Sequence, residues 1–231
     1  MRILIKISGE ALSNNTGKNY DFDYLLKIGK EIQQLQKTHQ IAIVCGGGNI
    51  CRGAEFSKNG ISPTVGHEVG MMATTMNALM LADIIEKLGV QTVVYTARDL
   101  SGIGEIFDSK RVKHSLDAGC IVFLSGGTGH PYFSTDTASV LRSLELSCEM
   151  MIKCTSVDGI YSADPKKDPT AEKFESVTYD DILTKNLRIM DQASIALARD
   201  HDLKIGVCHI DTLPSLATLS DGVFDGSIIQ K

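Results

Sequence analysis

The run Ile41-Ala42-Ile43-Val44-Cys45 is apolar throughout and stops at Gly46-Gly47-Gly48-Asn49. A short unbroken apolar run bounded by glycine reads as a strand buried on both faces, as in a parallel sheet. Parallel strands need crossover connections, usually helices, so this feature points to an α/β fold before any other segment is read. The three glycines remove every side chain where the strand turns toward the next helix. Backbone N–H groups there can close on an anion, which the helix dipole also favours. Arg52 follows about one turn later and can offer a bidentate cation to a phosphate. A tight strand-to-helix turn needs the same glycines, so the segment alone leaves both readings open.

The rest of the chain repeats the pattern. Apolar runs at Ile3 to Ile7, Thr92 to Tyr95, Cys120 to Leu124, Met150 to Cys154 and Ile205 to Cys208 read as further strands. Helical patterns at Phe22 to Gln36, Val69 to Leu88, Ser109 to Ala118, Thr135 to Leu146 and Asp191 to Arg199 lie between them. This order predicts parallel strands, right-handed crossovers and helices on both faces. Gly226 to Ile229 reads as a final edge strand. The turn-rich stretch from Asp158 to Lys173 reads as a hairpin and surface loop. No repeat or interdomain linker divides the 231 residues, so one domain spanning 1–231 is expected.

Composition excludes several classes. A net charge of −5 argues against a general nucleic-acid surface. No apolar run approaches membrane-spanning length, and Met1 leads straight into a strand-like segment with no room for a signal peptide. The six cysteines (Cys45, Cys51, Cys120, Cys148, Cys154 and Cys208) form no C-x-x-C pair and read as small core residues in a reducing compartment. A cytoplasmic protein is expected. No G-x-x-x-x-G-K-[ST], G-x-G-x-x-G or G-x-S-x-G is present. His67-Glu68 opens like a zinc H-E-x-x-H, but Met71 stands where the second histidine belongs, so no metal-ligand set is assigned.

In sheets of this kind ligands sit at the carboxyl ends of the strands. Ser8-Gly9-Glu10, Gly46 to Asn49, Ser125-Gly126-Gly127-Thr128-Gly129 and Thr155 all fall at such ends. Several glycine and hydroxyl turns on one edge suggest a site that wraps polyphosphate. Lys6 lies inside an apolar run, and a buried ammonium needs an anion. Lys153 raises the same question, balanced against snorkelling from a strand end. Asp136 fits a first-turn position behind Thr135 as N-cap, or a role orienting a lysine or holding metal-bound phosphate. Asp158 reads as turn chemistry and Asp191 as an N-cap. Met72, Met76 and Met80 share one helix face and read as core or subunit contact.

Taken together these residues resemble the amino-acid-kinase superfamily and, within it, the bacterial uridylate kinases. The resemblance rests on Lys6-Ile7-Ser8-Gly9-Glu10-Ala11-Leu12, Gly46 to Asn49 with Arg52-Gly53, and Gly70-Met71-Met72-Ala73-Thr74. It continues through Gly127 to Asp136, Lys153 to Pro165, Val177-Thr178-Tyr179 and Met190-Asp191. The segment T-G-x-P-[YF]-F-x-T-D is the most specific. The resemblance implies an αβα sandwich around a mainly parallel sheet, with the part before about residue 150 on the acceptor side and the rest on the ATP side. It implies transfer of a phosphoryl group from ATP to UMP with magnesium, homohexamers, and GTP and UTP as effectors.

On matching positions, the resemblance puts Lys6, Ile7, Ser8, Gly9, Gly48 and Arg52 against ATP phosphates. Thr155, Tyr161 and Asp164 would frame the ATP nucleoside. Gly47 would lie against the UMP phosphate, with UMP also held by His67, Thr128, Gly129, His130, Pro131, Tyr132, Phe133, Ser134 and Thr135. Lys6, Arg52 and Asp136 would be catalytic, Asp136 by orienting Lys6. Two positions depart from the family pattern. His67 stands where an aspartate usually accepts hydrogen bonds from the ribose, and His130 stands where asparagine is usual. A neutral histidine accepts one such bond, and the neighbouring Glu68 is an alternative acceptor. A sibling kinase acting on a carboxylate or carbamate, and a nucleotide sensor without activity, are the rival readings.

Overall fold

A computed structural model of the chain describes residues 1–13, 19–51, 59–165, 167–185, 187 and 189–231. Among the described residues nine strands form one sheet in the order β4-β3-β5-β2-β1-β6-β10-β11-β9. They are β1 (Arg2–Ile7), β2 (Gln40–Cys45), β3 (Thr92–Thr96), β4 (Glu105–Ile106), β5 (Ile121–Ser125), β6 (Met150–Thr155), β9 (Ser176–Thr178), β10 (Lys204–His209) and β11 (Ser227–Gln230). All pairs are parallel except β10 with β11. The helices are α1 (Gly9–Leu12), α2 (Phe22–Leu35), α3 (Pro63–Lys87), α4 (Ser109–Asp117), α5 (Thr135–Leu146), α6 (Tyr179–Thr184) and α7 (Gln192–Asp200). A 3-10 segment covers Ile210–Asp221.

The central strands alternate their burial between two apolar layers. Ile3, Ile5 and Ile7 of β1 pack with α2, α3 and the 3-10 segment, while Leu4 packs on the other face among residues of α4, α5 and α7. The expected αβα sandwich is therefore present. Four of the five expected helices begin within a residue of their predicted starts. Helix α3 starts six residues earlier than its apolar pattern, because Ser62 caps it and Pro63 occupies the first turn. Helix α5 is capped by Ser134, not Thr135: the Ser134 hydroxyl accepts from the N–H groups of Asp136 and Thr137.

Two expectations need correction. The run ending at Ile229 is not an edge strand: β11 lies between β10 and β9, and the three-residue β9 forms the edge. A strand that short carries no readable alternation. For the methionine stripe the core reading fails and the subunit-contact reading stands open, since Met72 and Met76 are 44% and 49% exposed on a ridge with Val65, Val69 and Leu79. The expected hairpin is there, as β7 (Ile160–Tyr161) paired antiparallel with β8 (Lys173–Phe174).

Candidate active site

The carboxyl ends of β1, β2, β5 and β6 meet at one edge of the sheet. Lys6 and Lys153 are direct partners across the parallel β1–β6 pair, so their side chains leave the same face. Asp136, in the first turn of α5, stands over both. Lys6 Nζ is 3.0 Å from Asp136 Oδ1, and Lys153 Nζ is 2.6 Å from Oδ2. Lys153 also donates to the Ile189 carbonyl at 2.6 Å. Burial by itself would raise the Asp136 carboxyl, but the charges of Lys6 and Lys153 outweigh it and hold its pKa below the usual carboxylate range. Burial, with the like charge of Lys6, lowers the Lys153 ammonium below 10.5 against the pull of Asp136. The cluster itself carries two ammoniums and one carboxylate, little exposed, and the charge of Asp191 also acts on Lys153.

The glycine turns separate into two kinds. Gly46 donates to the Ile7 carbonyl at 2.8 Å, and a side chain on Gly9 would come within 2.5 Å of the Gly48 nitrogen. A side chain on Gly47 would meet Ala73 Cβ at 2.8 Å and the Gly70 carbonyl at 3.0 Å. These three glycines let the turns after β1 and β2 close on each other and on α3. Gly48 is different, because a Cβ there would find only Glu10 Cγ, at 3.9 Å. The fold does not require glycine at 48, which leaves space above the turn. Buried Asn77 of α3 donates to the Gly46 carbonyl at 2.6 Å and to Asn49 Oδ1 at 2.8 Å, fixing the turn from beneath. Ser8 caps α1 beside it. Arg52 lies outside the described residues.

The loop from Gly126 to Ser134 forms the adjoining wall. Gly126, Gly127, Gly129 and Tyr132 all have positive φ, at 76°, 60°, 81° and 71°. The Tyr132 ring tilts against His67 with centroids 4.9 Å apart, and its hydroxyl is 3.2 Å from Thr64 Oγ1. Tyr132 and Phe133 are exposed, presenting apolar faces beside the site. Glu68, the alternative acceptor, pairs with Arg98 at 3.4 Å. His130 folds back on its own turn, its N–H donating to Thr128 Oγ1 at 3.2 Å. Asp191 caps α7 as expected and also accepts from Ser134 and Thr137, clamping the start of α5. On the other side of Lys153, a cavity of about 520 Å3 is lined by Thr155, Tyr161, Asp164, Lys185, Leu187 and Ile189, among others.

A family model described as the amino acid kinase family matches residues 1–209. This chain belongs to that family. It is 40% identical over 230 residues to a uridylate kinase of Saccharophagus degradans, covering 99% of this chain and 93% of that protein. A uridylate kinase of Rickettsia bellii is also 40% identical, over 217 residues, covering 94% and 91%. A crystal structure of UMP kinase from Bacillus anthracis superposes with a TM-score of 0.94 at 32% identity, covering 99% of this chain and 95% of that one. UMP kinase from Ureaplasma parvum gives 0.93 at 30% identity.

Within this amino acid kinase fold, the structure brings Lys6, Ile7, Ser8, Gly9, Gly47, Gly48 and Asp136 to one edge. His67 and the loop from Thr128 to Thr135 flank it on one side, and Thr155, Tyr161 and Asp164 line the cavity on the other. Lys153 belongs with Lys6, and its place in an apolar run was the signal for it. Arg98, Lys185 and Leu187 carried no such signal, because they lie on connections whose course only the tertiary fold fixes. The carboxylate at the heart of the site is engaged by lysines, and among the described residues no three His, Cys, Asp or Glu side chains converge. That donor set fits a divalent metal carried on the phosphates of a nucleotide rather than caged by protein. No described helix is long and apolar enough to cross a membrane.

Proposed function

We propose that this chain is a UMP kinase of pyrimidine nucleotide biosynthesis. The bond from the ATP γ-phosphorus to its bridging oxygen breaks, and one forms to a phosphate oxygen of UMP, giving UDP and ADP. The observation that carries the reading is the Lys6–Asp136–Lys153 cluster, placed between glycine-lined turns and a cavity of nucleotide size. Phosphoryl transfer asks little covalent help of a protein; it needs alignment and neutralisation of charge on the moving group. Lys6 and Lys153 meet that charge with ammoniums that Asp136 holds in place before substrate arrives. The acceptor is already anionic, so no general base is required.

The loop from Thr128 to Thr135, with Gly47 and His67, binds UMP, and the exposed faces of Tyr132 and Phe133 favour a base over a small carboxylate acceptor. Ile7, Ser8, Gly9, Gly48 and Arg52 hold ATP phosphates, and Thr155, Tyr161 and Asp164 its nucleoside. The chain acts as one domain, with the acceptor half before about residue 150 and the ATP half after it. Magnesium bound with the ATP phosphates would supply further neutralisation of the moving group, while Asp136 stays engaged with Lys6 and Lys153. The protein works in the cytoplasm as a homohexamer, with GTP and UTP as effectors. The exposed apolar ridge of α3 supports self-association.

The test is ADP release with Mg-ATP and, separately, UMP, CMP, dUMP, carbamate and acetylglutamate. Turnover with UMP is the expected result. Equal rates with UMP and dUMP would mean that His67 does not read the ribose. Turnover with carbamate or acetylglutamate alone would replace the reading by a sibling kinase, and silence with all five by a nucleotide sensor.

A further inference from the structure

The loop that faces the acceptor is conformationally expensive. Three of its glycines sit at positive φ, so each gives up a wide range of unfolded conformations. Tyr132 sits at φ 71°, a region that a side chain this large visits rarely and at a cost. The loop closes its own first turn, with the Gly129 N–H donating to the Gly126 carbonyl at 3.0 Å. That bond does not tell the turn where to sit relative to the rest of the site.

Among the described residues, four ties set its position from the outside. The Gly126 N–H donates to Thr74 Oγ1 at 2.9 Å. The Tyr132 hydroxyl reaches Thr64, and Ser134 reaches Asp191. The fourth tie comes from Arg98, on the connection after β3. Its Nε donates to the Gly129 carbonyl at 2.6 Å, and its Nη1 lies 3.4 Å from Glu68 Oε1. Two donors of one rigid guanidinium thus join the middle of the loop to the second turn of α3, one residue beyond His67. A planar fork with two donors fixes both distance and orientation, which an ammonium cannot do. The Gly129 carbonyl thereby faces Arg98, and a Cβ at 129 would meet the Ala97 carbonyl at 3.2 Å.

We propose that Arg98 is a positioning residue for the acceptor nucleotide: it latches the Gly129 carbonyl to Glu68, so that the loop and the helix carrying His67 present one preformed surface to UMP. This rests on the UMP kinase reading above. Glu68 serves as the counter-ion of Arg98, and His67 is left facing Tyr132. Without the latch, the loop must be ordered by the acceptor itself, which taxes acceptor affinity and leaves the Lys6–Asp136–Lys153 cluster and the ATP cavity untouched.

The test compares the unaltered enzyme with Arg98→Ala, Arg98→Lys and Glu68→Gln, measuring KM for UMP, KM for ATP, kcat and thermal midpoint. Arg98→Ala should raise KM for UMP about tenfold, with KM for ATP within twofold and kcat at saturating UMP within threefold. Arg98→Lys should recover part of that loss, and Glu68→Gln should raise KM for UMP less than Arg98→Ala. A merely structural role would lower the thermal midpoint and disturb both substrates together. Unchanged KM for UMP in Arg98→Ala, or an equal rise for ATP, would overturn the proposal. If the unaltered enzyme does not phosphorylate UMP, the functional reading fails first. Turnover by that enzyme with no effect of Arg98→Ala would remove only the latch.

Discussion

Replacing Asp136 by asparagine tests the central arrangement most directly. The change keeps the size of the side chain and deletes the one negative charge between two ammoniums whose side chains are 7% and 11% exposed. The three-residue cluster goes from a charge of about +1 to about +2 where little solvent reaches it. Removing one partner of a buried ion pair costs about 3–5 kcal/mol, because a charge is left uncompensated. Here the low end applies, since the amide oxygen still accepts from one lysine. For a chain of this size about 1 kcal/mol moves the thermal midpoint by roughly 2–4 °C, so the expected loss at pH 7 is about 6–12 °C. The pH dependence gives the sharper check. In the unaltered protein the depressed Asp136 pKa contributes stability that is fully present above the unfolded carboxylate value and fades as pH falls through the folded one. Between pH 7 and 9.5 that contribution is constant. In Asp136→Asn, Lys153 has lost its main attraction and sheds its proton earlier. The destabilisation is then full below the folded lysine pKa and shrinks as pH rises through it. Differential scanning calorimetry of both proteins at pH 7 and 9.5 reads this. A loss under about 2 °C, or a loss that does not shrink at pH 9.5, would refute the claim that Asp136 neutralises two buried ammoniums.

Other consequences are quicker to state. Lys6→Ala should lower kcat by about a hundredfold or more, the scale of a lost transition-state charge partner, measured by ADP release. Because the Lys153 pKa is lowered in the free protein, kcat/KM should fall on an alkaline limb below pH 10.5, and Lys153→Arg, which stays charged, should move that limb upward in a pH–rate profile. Gly47→Ala should lower the thermal midpoint, its Cβ meeting Ala73 and the Gly70 carbonyl, whereas Gly48→Ala should leave the midpoint unchanged and weaken ATP binding by calorimetry. Met76→Glu on the exposed ridge of α3 should dissociate the proposed homohexamer in light-scattering measurements without unfolding the chain.

How much of this was legible in the sequence follows from the range of the forces involved. Unbroken apolar strands such as Ile41 to Cys45 declare themselves, because burial on both faces leaves no polar position to confuse the period. Helix α5 was placed to the residue by local signals, although its cap moved by one: Ser134 and Thr135 are both good caps, and the choice falls to Ser134, which Asp191 also holds from another element. The strand β9 and helix α6 went unread because a three-residue strand and a six-residue helix carry too little pattern, and their stability comes from packing. Lys6 and Lys153 were visible as charges in the wrong surroundings. That they share one carboxylate was not visible, since Asp136 lies 17 residues before Lys153 and 130 after Lys6. Their meeting depends on β6 lying between β1 and β10, so that Lys153 falls beside Lys6, and on α5 starting over that pair.

That pairing explains why the cluster costs something to keep. Lys6 and Lys153 are in register on neighbouring strands, and like charges directly opposite each other in a sheet are destabilising. A fold under selection for stability alone would place an apolar side chain at one of the two positions, as it does at Leu4 and Met151 one step earlier on the same face. One carboxylate cannot neutralise two ammoniums, so the Lys6–Asp136–Lys153 cluster holds a surplus positive charge, only partly offset by Asp191, that further anions would satisfy. An anionic phosphoryl group arriving between the glycine turns relieves this repulsion and gains the interaction at once, without paying to gather the cations. The same surplus ties ligand to stability: whatever places negative charge at Lys6 and Lys153 must raise the thermal midpoint, by RT ln(1 + [L]/Kd). Inorganic polyphosphate should therefore stabilise the unaltered protein, and its effect should be lost in Lys6→Ala even where the nucleoside cavity is untouched.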